Sequence, residues 1–417
     1  MAMLAIGAVV GRATEAIEGV PRAKFASTEM ADDPKKIVVL GCTGSIGDTC
    51  FKVLENLGNG YEIVGLAGGS KVEKLIARAR CWQPQKICVI DTEARKWVQS
   101  AIPQVEVVCG AEGLCELATM PEADLVLNGL VGAVGLAPTL AALAQGKTVA
   151  MANKEPLVMA GGLILQQAER GGGAVLPLDS EPNAIWQCLK GEGRKSLKRI
   201  ILTASGGPFW GRSREQMRDI TPEQAIDHPT WKMGPKISVD SATLMNKGFE
   251  VIEAAWLFGL AVEQVDVVVH RQSVVHALVE FVDGSLLAHM GKTDMMLPIQ
   301  YALTHPERRE VHLDNLDLNQ VGQLSFAAPD RANFPCLDLC YEAGRSGGTF
   351  PAVLNAANEE AVRAFLARKI GFLAIADLNR DVLAHCGTQE AVSLESILDE
   401  DRCARRLARE WVAGRAG

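Results

Sequence analysis

Aromatic residues are scarce, at 5% of 417 residues and with only three tyrosines. A surface that stacks bases between aromatic and basic side chains is therefore poorly supplied. Basic charge is short as well: 42 Lys and Arg face 50 Asp and Glu, for a net charge of −8, and no run of Lys and Arg stands out. Nucleic acid is thus not an expected partner, and any anionic ligand should be small. No CxxC pair occurs among the eleven cysteines scattered from Cys42 to Cys403. That excludes a zinc ribbon or a disulfide framework as the expected organisation and suits a reducing, cytoplasmic setting.

Long apolar runs are also missing, with one imitation. Residues 125–146 carry no charge and are long enough to span a bilayer. Asn128, Gly129, Gly132, Gly135 and Pro138 divide them into a strand, a turn and a helix opening near Pro138, so no membrane association is expected. What remains is a soluble composition, 48% hydrophobic and 22% charged, that argues against disorder or a coiled-coil rod. Residues 1–34, an apolar start followed by a mixed polar stretch, read as a dispensable extension, with a targeting peptide as the alternative.

From residue 35 onward, short β-branched runs at 37–40, 63–67, 87–90, 125–127, 148–151 and 174–178 alternate with helical stretches. This is the pattern of an α/β fold with a Rossmann-like, doubly wound parallel sheet, expected over 35–178. A central α/β domain with a mixed sheet is expected over 179–307, with strands at 265–270, 274–282 and 285–290 and a hairpin turn at Asp283-Gly284. A connector (308–334) and a small helical domain (335–417) follow, the latter with helices at 351–370, 375–385 and 394–413.

Gly41-Cys42-Thr43-Gly44-Ser45-Ile46-Gly47 follows the first strand and opens a helix. Glycines there let the backbone approach a pyrophosphate, and the helix amino terminus offers unpaired N–H groups. A ligand-free tight turn is the alternative, but the strand before and the helix after favour nucleotide binding. The next strand ends in Gly68-Gly69-Ser70-Lys71, with no carboxylate to hold a ribose hydroxyl or repel a phosphate, which favours NADP over NAD. Asn153-Lys154-Glu155 follows another strand, where Lys154 either neutralises an anion or forms a surface pair with Glu155.

Asp179-Ser180-Glu181 sets two carboxylates one residue apart, either as hard-cation ligands or as an acidic helix cap. Residues 238–250 read as a strand turning into a helix on which Asn246, Lys247 and Glu250 share a face. Thr203-Ala204-Ser205-Gly206-Gly207-Pro208-Phe209 offers a hydroxyl and a candidate backbone nest for an anion. His228-Pro229-Thr230-Trp231-Lys232-Met233-Gly234 suits a lid, or alternatively a satellite apolar cluster.

Together, GCTGSIG, ANKE, DSE, TASGGPF, HPTWKMGPKISVDSATLMNKGFE and GGTFPAVLNAANE closely resemble the 1-deoxy-D-xylulose-5-phosphate reductoisomerase family of the non-mevalonate isoprenoid pathway, from about residue 35 to the end. The resemblance implies an NADPH-dependent oxidoreductase requiring Mg²⁺ or Mn²⁺. Such an enzyme isomerises and then reduces 1-deoxy-D-xylulose 5-phosphate, a phosphorylated sugar, to 2-C-methyl-D-erythritol 4-phosphate, and works as a homodimer. It implies NADPH contacts from Thr43, Gly44, Ser45, Ile46, Gly68, Gly69, Ser70, Asn153, Glu155 and Gly234, and metal ligation by Asp179, Glu181 and Glu250. Substrate contacts are implied for Lys154, Ser180, Glu181, Ser205, His228, Ser241, Asn246, Lys247 and Glu250, with Lys154, Asp179, Glu181, His228 and Glu250 serving catalysis under a flap at 225–236. Pro182, Arg271, Gly69 and Glu360 depart from the family pattern, where His, Pro, a basic and an apolar residue are usual. Two rival readings are an NADP-dependent dehydrogenase of the homoserine or semialdehyde type, which needs no metal triad, and a non-catalytic NADPH sensor.

Overall fold

The computed structural model describes residues 34–415 except 232, 388, 391 and 392, so the extension expected over 1–34 lies, but for its last residue, outside the described residues. Seven short strands form the first sheet: β1 (Lys35–Leu40), β2 (Tyr61–Ala67), β3 (Lys86–Val89), β4 (Glu106–Cys109), β5 (Leu125–Asn128), β6 (Thr148–Met151) and β7 (Ala174–Pro177). Their order is β4-β3-β2-β1-β5-β6-β7, and every pairing is parallel. Apolar runs such as Ile37-Val38-Val39-Leu40 are fully buried because helices cover both faces. Strand β4 was not expected: it is a four-residue edge strand with an exposed Glu106, too short to show a period.

Strand order reverses at β1, which pairs with β2 on one side and β5 on the other. At such a switch point the loops leaving the strand ends diverge and open a crevice for ligands. Close backbone approach there demands glycine. A Cβ on Gly41 (φ +84°) would sit 2.6 Å from the Gly129 carbonyl oxygen, and one on Gly47 would sit 2.5 Å from that of Cys42. The uncharged stretch resolves as expected into β5, a turn and the helix Leu136–Ala144. Among the described residues no helix is long and apolar enough to cross a membrane.

The second sheet contains β8 (Leu197–Ala204), β9 (Val265–Val269), β10 (Val275–Phe281) and β11 (Leu286–Met290) in the order β11-β10-β8-β9. It is mixed: β8 and β9 run parallel, the other pairs antiparallel. Asp283-Gly284 makes the β10–β11 turn, with Gly284 at φ +88° and Asp283 Oδ1 accepting from Ser285 N at 2.9 Å.

The strand expected to begin at Ser238 is a helix, Pro235–Ala242. Pro235 occupies its first turn, where a missing N–H costs nothing, and this outweighs the β-like alternation of Ser238-Val239-Asp240. Leu244, at φ +62°, then breaks the chain before a second helix, Met245–Phe258. The carboxyl-terminal part has four helices where three were expected: Cys336–Ser346, Phe350–Leu366, Ala374–His385 and Leu394–Ala413. The unexpected one, Cys336–Ser346, packs on Met245–Phe258 so closely that a Cβ on Gly248 would meet Cys340 Sγ at 2.4 Å.

Candidate active site

The carboxyl ends of β1, β5, β6 and β7 and the end of β8 open onto one cleft of about 640 Å³. Each loop is held in place by its own hydrogen bonds. Asn128, fully buried at the end of β5, donates to Gly135 O (3.0 Å) and Thr139 Oγ1 (2.9 Å) and accepts from Leu130 N (3.2 Å), which pins the β5 turn. Asn153 ties the β6 loop to that turn by donating to Gly132 O at 2.9 Å. Asp179 caps the helix Ser180–Cys188 through Ser180 N at 3.1 Å, so Ser180 and Glu181 lie in its first turn. The left-handed Leu244 aims the amino end of Met245–Phe258, bearing Asn246 and Lys247, at the same space.

Three carboxylates meet there. One ligand oxygen each from Asp179, Glu181 and Glu250 falls within 4.8 Å of the others, close to the ~4.2 Å between opposite oxygens of an ion with Mg–O distances of ~2.1 Å. Two ammonium groups face them. Lys154 Nζ lies 2.7 Å from Asp179 Oδ2 and 3.3 Å from Glu250 Oε1 and donates to Asn246 Oδ1 at 2.9 Å. Lys247 Nζ donates to Glu181 Oε1 at 2.6 Å and to Glu250 Oε2. Glu250 also accepts from Asn246 Nδ2 at 2.6 Å, across the helical face the sequence indicated.

The electrostatics are those of crowded anions. Burial, reinforced by Glu181, pushes Glu250 up to about 7 in spite of both lysines. Glu181, which burial alone would raise, is held at about 2 by Lys247 and the Ser180 hydroxyl. Asp179 Oδ2 is buried and forms no properly directed hydrogen bond even with Lys154 nearby. An all-oxygen donor set, with a buried Asp179 oxygen whose contact to Lys154 is an ion pair without directed hydrogen-bond geometry, fits a hard divalent cation.

On the far wall, Ser205 Oγ lies 2.8 Å from His228 Nε2. His228 Nδ1 accepts from Trp231 N at 2.9 Å, so Nε2 is the protonated nitrogen and donates to the serine. Burial, with Arg271 and Lys247, lowers this imidazole to about 4. Ser241, Trp231, Met233 and Gly234 complete the wall. The segment expected as a flap, 225–236, runs between two helices. Ala225 is buried in the helix Pro222–Ile226, Lys236 belongs to Pro235–Ala242, and Lys232 is outside the described residues.

Lys154, Asp179, Ser180, Glu181, Ser205, His228, Ser241, Asn246, Lys247 and Glu250 all line the cleft, as do Ser45, Ile46, Asn153, Glu155 and Gly234. Thr43, Gly44, Gly68, Gly69 and Ser70 are not part of its lining; they sit at the ends of β1 and β2. Glu155 is partly committed elsewhere: Lys236 bridges it to Asp240, whose Oδ1 accepts from Asn358 at 2.7 Å.

Sequence reasoning missed His276, Ser273 and Asp294 on the lining. It also missed Glu253, one turn beyond Glu250, which is 1% exposed with neither carboxylate oxygen hydrogen-bonded. Burial and Asp179 raise its pKa well above the ordinary value. A carboxylate at i+3 from Glu250 was the available signal for it.

Of the departures from the expected pattern, one has structural partners and one has open space around it. Glu360 is paired with Arg363 at 2.7 Å and Arg409 at 2.8 Å, which supports its burial. At Gly69 a Cβ would meet nothing within 4 Å, so no basic side chain has been sterically excluded there.

Comparison with known proteins agrees with this geometry. Three family models match: "1-deoxy-D-xylulose 5-phosphate reductoisomerase" over residues 37–161, its "C-terminal domain" over 175–258, and "DXP reductoisomerase C-terminal domain" over 290–407. The reductoisomerase of Heliobacterium modesticaldum is 47% identical over 382 residues, covering 91% of this chain and 97% of that one. That of Pseudomonas putida is 47% identical over 387 residues, covering 91% and 98%. Among solved structures, the Zymomonas mobilis enzyme in complex with NADPH superposes with a TM-score of 0.85 at 43% identity, covering 91% and 99%. A reductoisomerase complex with NADPH, fosmidomycin and magnesium gives 0.86 at 42%, covering 91% and 98%. The chain belongs to the 1-deoxy-D-xylulose 5-phosphate reductoisomerase family.

Proposed function

We propose that this protein converts 1-deoxy-D-xylulose 5-phosphate to 2-C-methyl-D-erythritol 4-phosphate, using NADPH and Mg²⁺ or Mn²⁺, within the non-mevalonate isoprenoid pathway. The observation that carries this reading is the meeting of Asp179, Glu181 and Glu250, from distant stretches of chain, in a cleft that continues to the Gly41–Gly47 loop. An ion held by those carboxylates acts as a Lewis acid on substrate oxygens.

The other groups bind and orient. Thr43, Gly44, Ser45 and Ile46, with Gly68, Gly69, Ser70, Asn153, Glu155 and Gly234, form the NADPH side, and Ser70 with Lys71 meets the extra phosphate where β2 carries no terminal acid. Lys154 and Lys247 keep two cations beside the oxygens on which negative charge develops. Ser205, His228, Ser241, Asn246 and Lys247 receive the phosphate end. His228, held neutral, offers its Nε2–H. Trp231 and Met233 exclude water from the reduction step.

NADPH oxidation followed at 340 nm tests the reading. Turnover is expected only with both the substrate and Mg²⁺ or Mn²⁺ present, and chelation abolishes it. Metal-independent turnover would point instead to an ordinary dehydrogenase, and tight NADPH binding without turnover to a sensor.

We also read the protein as a homodimer. Strand β11 is a sheet edge carrying exposed Leu286 (52%) and Leu287 (43%), with Val282 (65%) beside its turn. An uncovered apolar edge of this kind is normally protected by pairing or burial, and a second copy satisfies it. Light scattering should give twice 44.7 kDa, and L287E should shift the protein to monomer. A monomeric wild type would refute this reading. Eleven free cysteines accord with a reducing cytoplasm.

A further inference from the structure

Arg271 lies behind the wall that carries Ser205 and does not line the cleft. Its Nη1 donates to two main-chain oxygens of one loop, Ser205 O at 2.7 Å and Gly207 O at 2.6 Å. Its guanidinium also lies 5.7 Å from the centre of the Trp210 ring. The loop it grips is unusual. Gly206 (φ +77°) and Gly207 (φ +69°) are both left-handed. A Cβ on Gly206 would meet Trp210 and Val269 at 3.0 Å, and one on Gly207 would meet backbone of Ser241 and Ala242 at 2.9 Å. Glycine is required at both positions, so within the loop only the Ser205 hydroxyl, accepting from Gly207 N, helps to hold its peptides.

A planar peptide points its C=O and the following N–H in opposite directions. Fixing the Ser205 carbonyl on Arg271 therefore turns the Gly206 N–H away from Arg271, on the peptide that joins the two cleft-lining residues Ser205 and Gly206. That N–H has no hydrogen-bond partner among the described residues. Gly207 N donates to Ser205 Oγ at 3.2 Å, and the same hydroxyl meets His228 Nε2 at 2.8 Å. The turn that carries Arg271 also bears Ser273, whose hydroxyl lies 3.3 Å from Thr230 Oγ1 on the segment covering the cleft. One partly buried cation thus sets the pose of an amide, a hydroxyl and, through Ser205, an imidazole, all on one wall.

We propose that Arg271 is a positioning residue for the anionic end of the substrate: it holds the Ser205–Gly207 loop so that the Gly206 amide and the Ser205 hydroxyl are presented to a phosphate. This rests on the assignment of the Ser205 wall to the phosphate end. Its effect is on binding in the ground and transition states alike, so it is read in KM and not in kcat.

Steady-state kinetics on R271M, R271K and S205A separate the outcomes. R271M keeps the apolar stem and loses both donors and the charge. Its KM for 1-deoxy-D-xylulose 5-phosphate should rise about tenfold, with kcat within about twofold and KM for NADPH unchanged. R271K retains a cation with three donors and should recover most of the loss. A KM for the sugar phosphate unchanged in R271M, or a parallel loss in kcat and NADPH affinity, would overturn the proposal. S205A should raise the same KM. If it does so while R271M does not, only Arg271 has been misassigned. If S205A leaves the KM unchanged, the phosphate-end assignment itself falls. Should R271M not fold, R271L carries the same comparison, since it likewise keeps an apolar stem without donor or charge.

Discussion

Glu250→Gln should lower kcat at least about a thousandfold at saturating substrate and Mg²⁺, the scale expected when a preorganised charge at the reacting oxygens is lost. The substitution preserves shape and still allows an acceptor for Asn246, so the loss measures charge. With Glu250 ionised, three carboxylates against two ammonium groups leave the site at −1; with Gln at position 250 the sum is zero, and the attraction for a divalent cation collapses. Thermal denaturation supplies a second readout. Mg²⁺ should raise the midpoint of the wild type in proportion to its binding and leave that of E250Q unmoved. Wild-type turnover in E250Q, or an undiminished Mg²⁺-dependent shift, would remove Glu250 from the metal site.

Lys154→Met should cost activity by about two to three orders of magnitude, as for removal of one preorganised electrostatic contact, and should also destabilise the metal-free protein. Lys154 is 4% exposed, and its two carboxylate partners, Asp179 and Glu250, are themselves largely buried. Removing one member of a buried charge cluster typically costs about 3–5 kcal/mol, because the remaining charges stay desolvated and unpaired. A divalent cation supplies the missing positive charge, so Mg²⁺ should restore more stability to K154M than it adds to the wild type. Activity should stay low, because stability and transition-state stabilisation draw on the same ammonium in different ways. Equal Mg²⁺ stabilisation of the two proteins would show that Lys154 and the ion do not share carboxylates.

Much of this arrangement can be read along the chain. Gly41 to Gly47 after an apolar strand, Asp179 and Glu181 after another, and Asn246, Lys247 and Glu250 on one helical face each announce themselves by spacing, and the structure brings them together. What stays hidden depends on partners distant in sequence. Strand β4 exists because β3 offers it an edge. The helix Pro235–Ala242 hides behind a β-like alternation, although Pro235 followed Gly234 in a recognisable starting pattern. Arg271 stands out along the chain only as a departure from the family pattern, and its meaning lies in two carbonyls more than sixty residues away. Glu253 looks like an ordinary helix-surface acid until the helix Met245–Phe258 proves to be buried nearly all round.

The bridge from Glu155 through Lys236 and Asp240 to Asn358 bears on how this chain can be divided. It spans the first sheet's rim, the helix following the covering segment and the carboxyl-terminal bundle, and each of its members is largely shielded from solvent. A fragment that stopped short of Phe350 would strand Asp240 without its amide donor and strip the bundle from the back of the catalytic helices. Truncation there would thus propagate inward to Glu155 on the wall of the cleft, which makes the helix Phe350–Leu366 a keystone of assembly and an unsuitable place to cut.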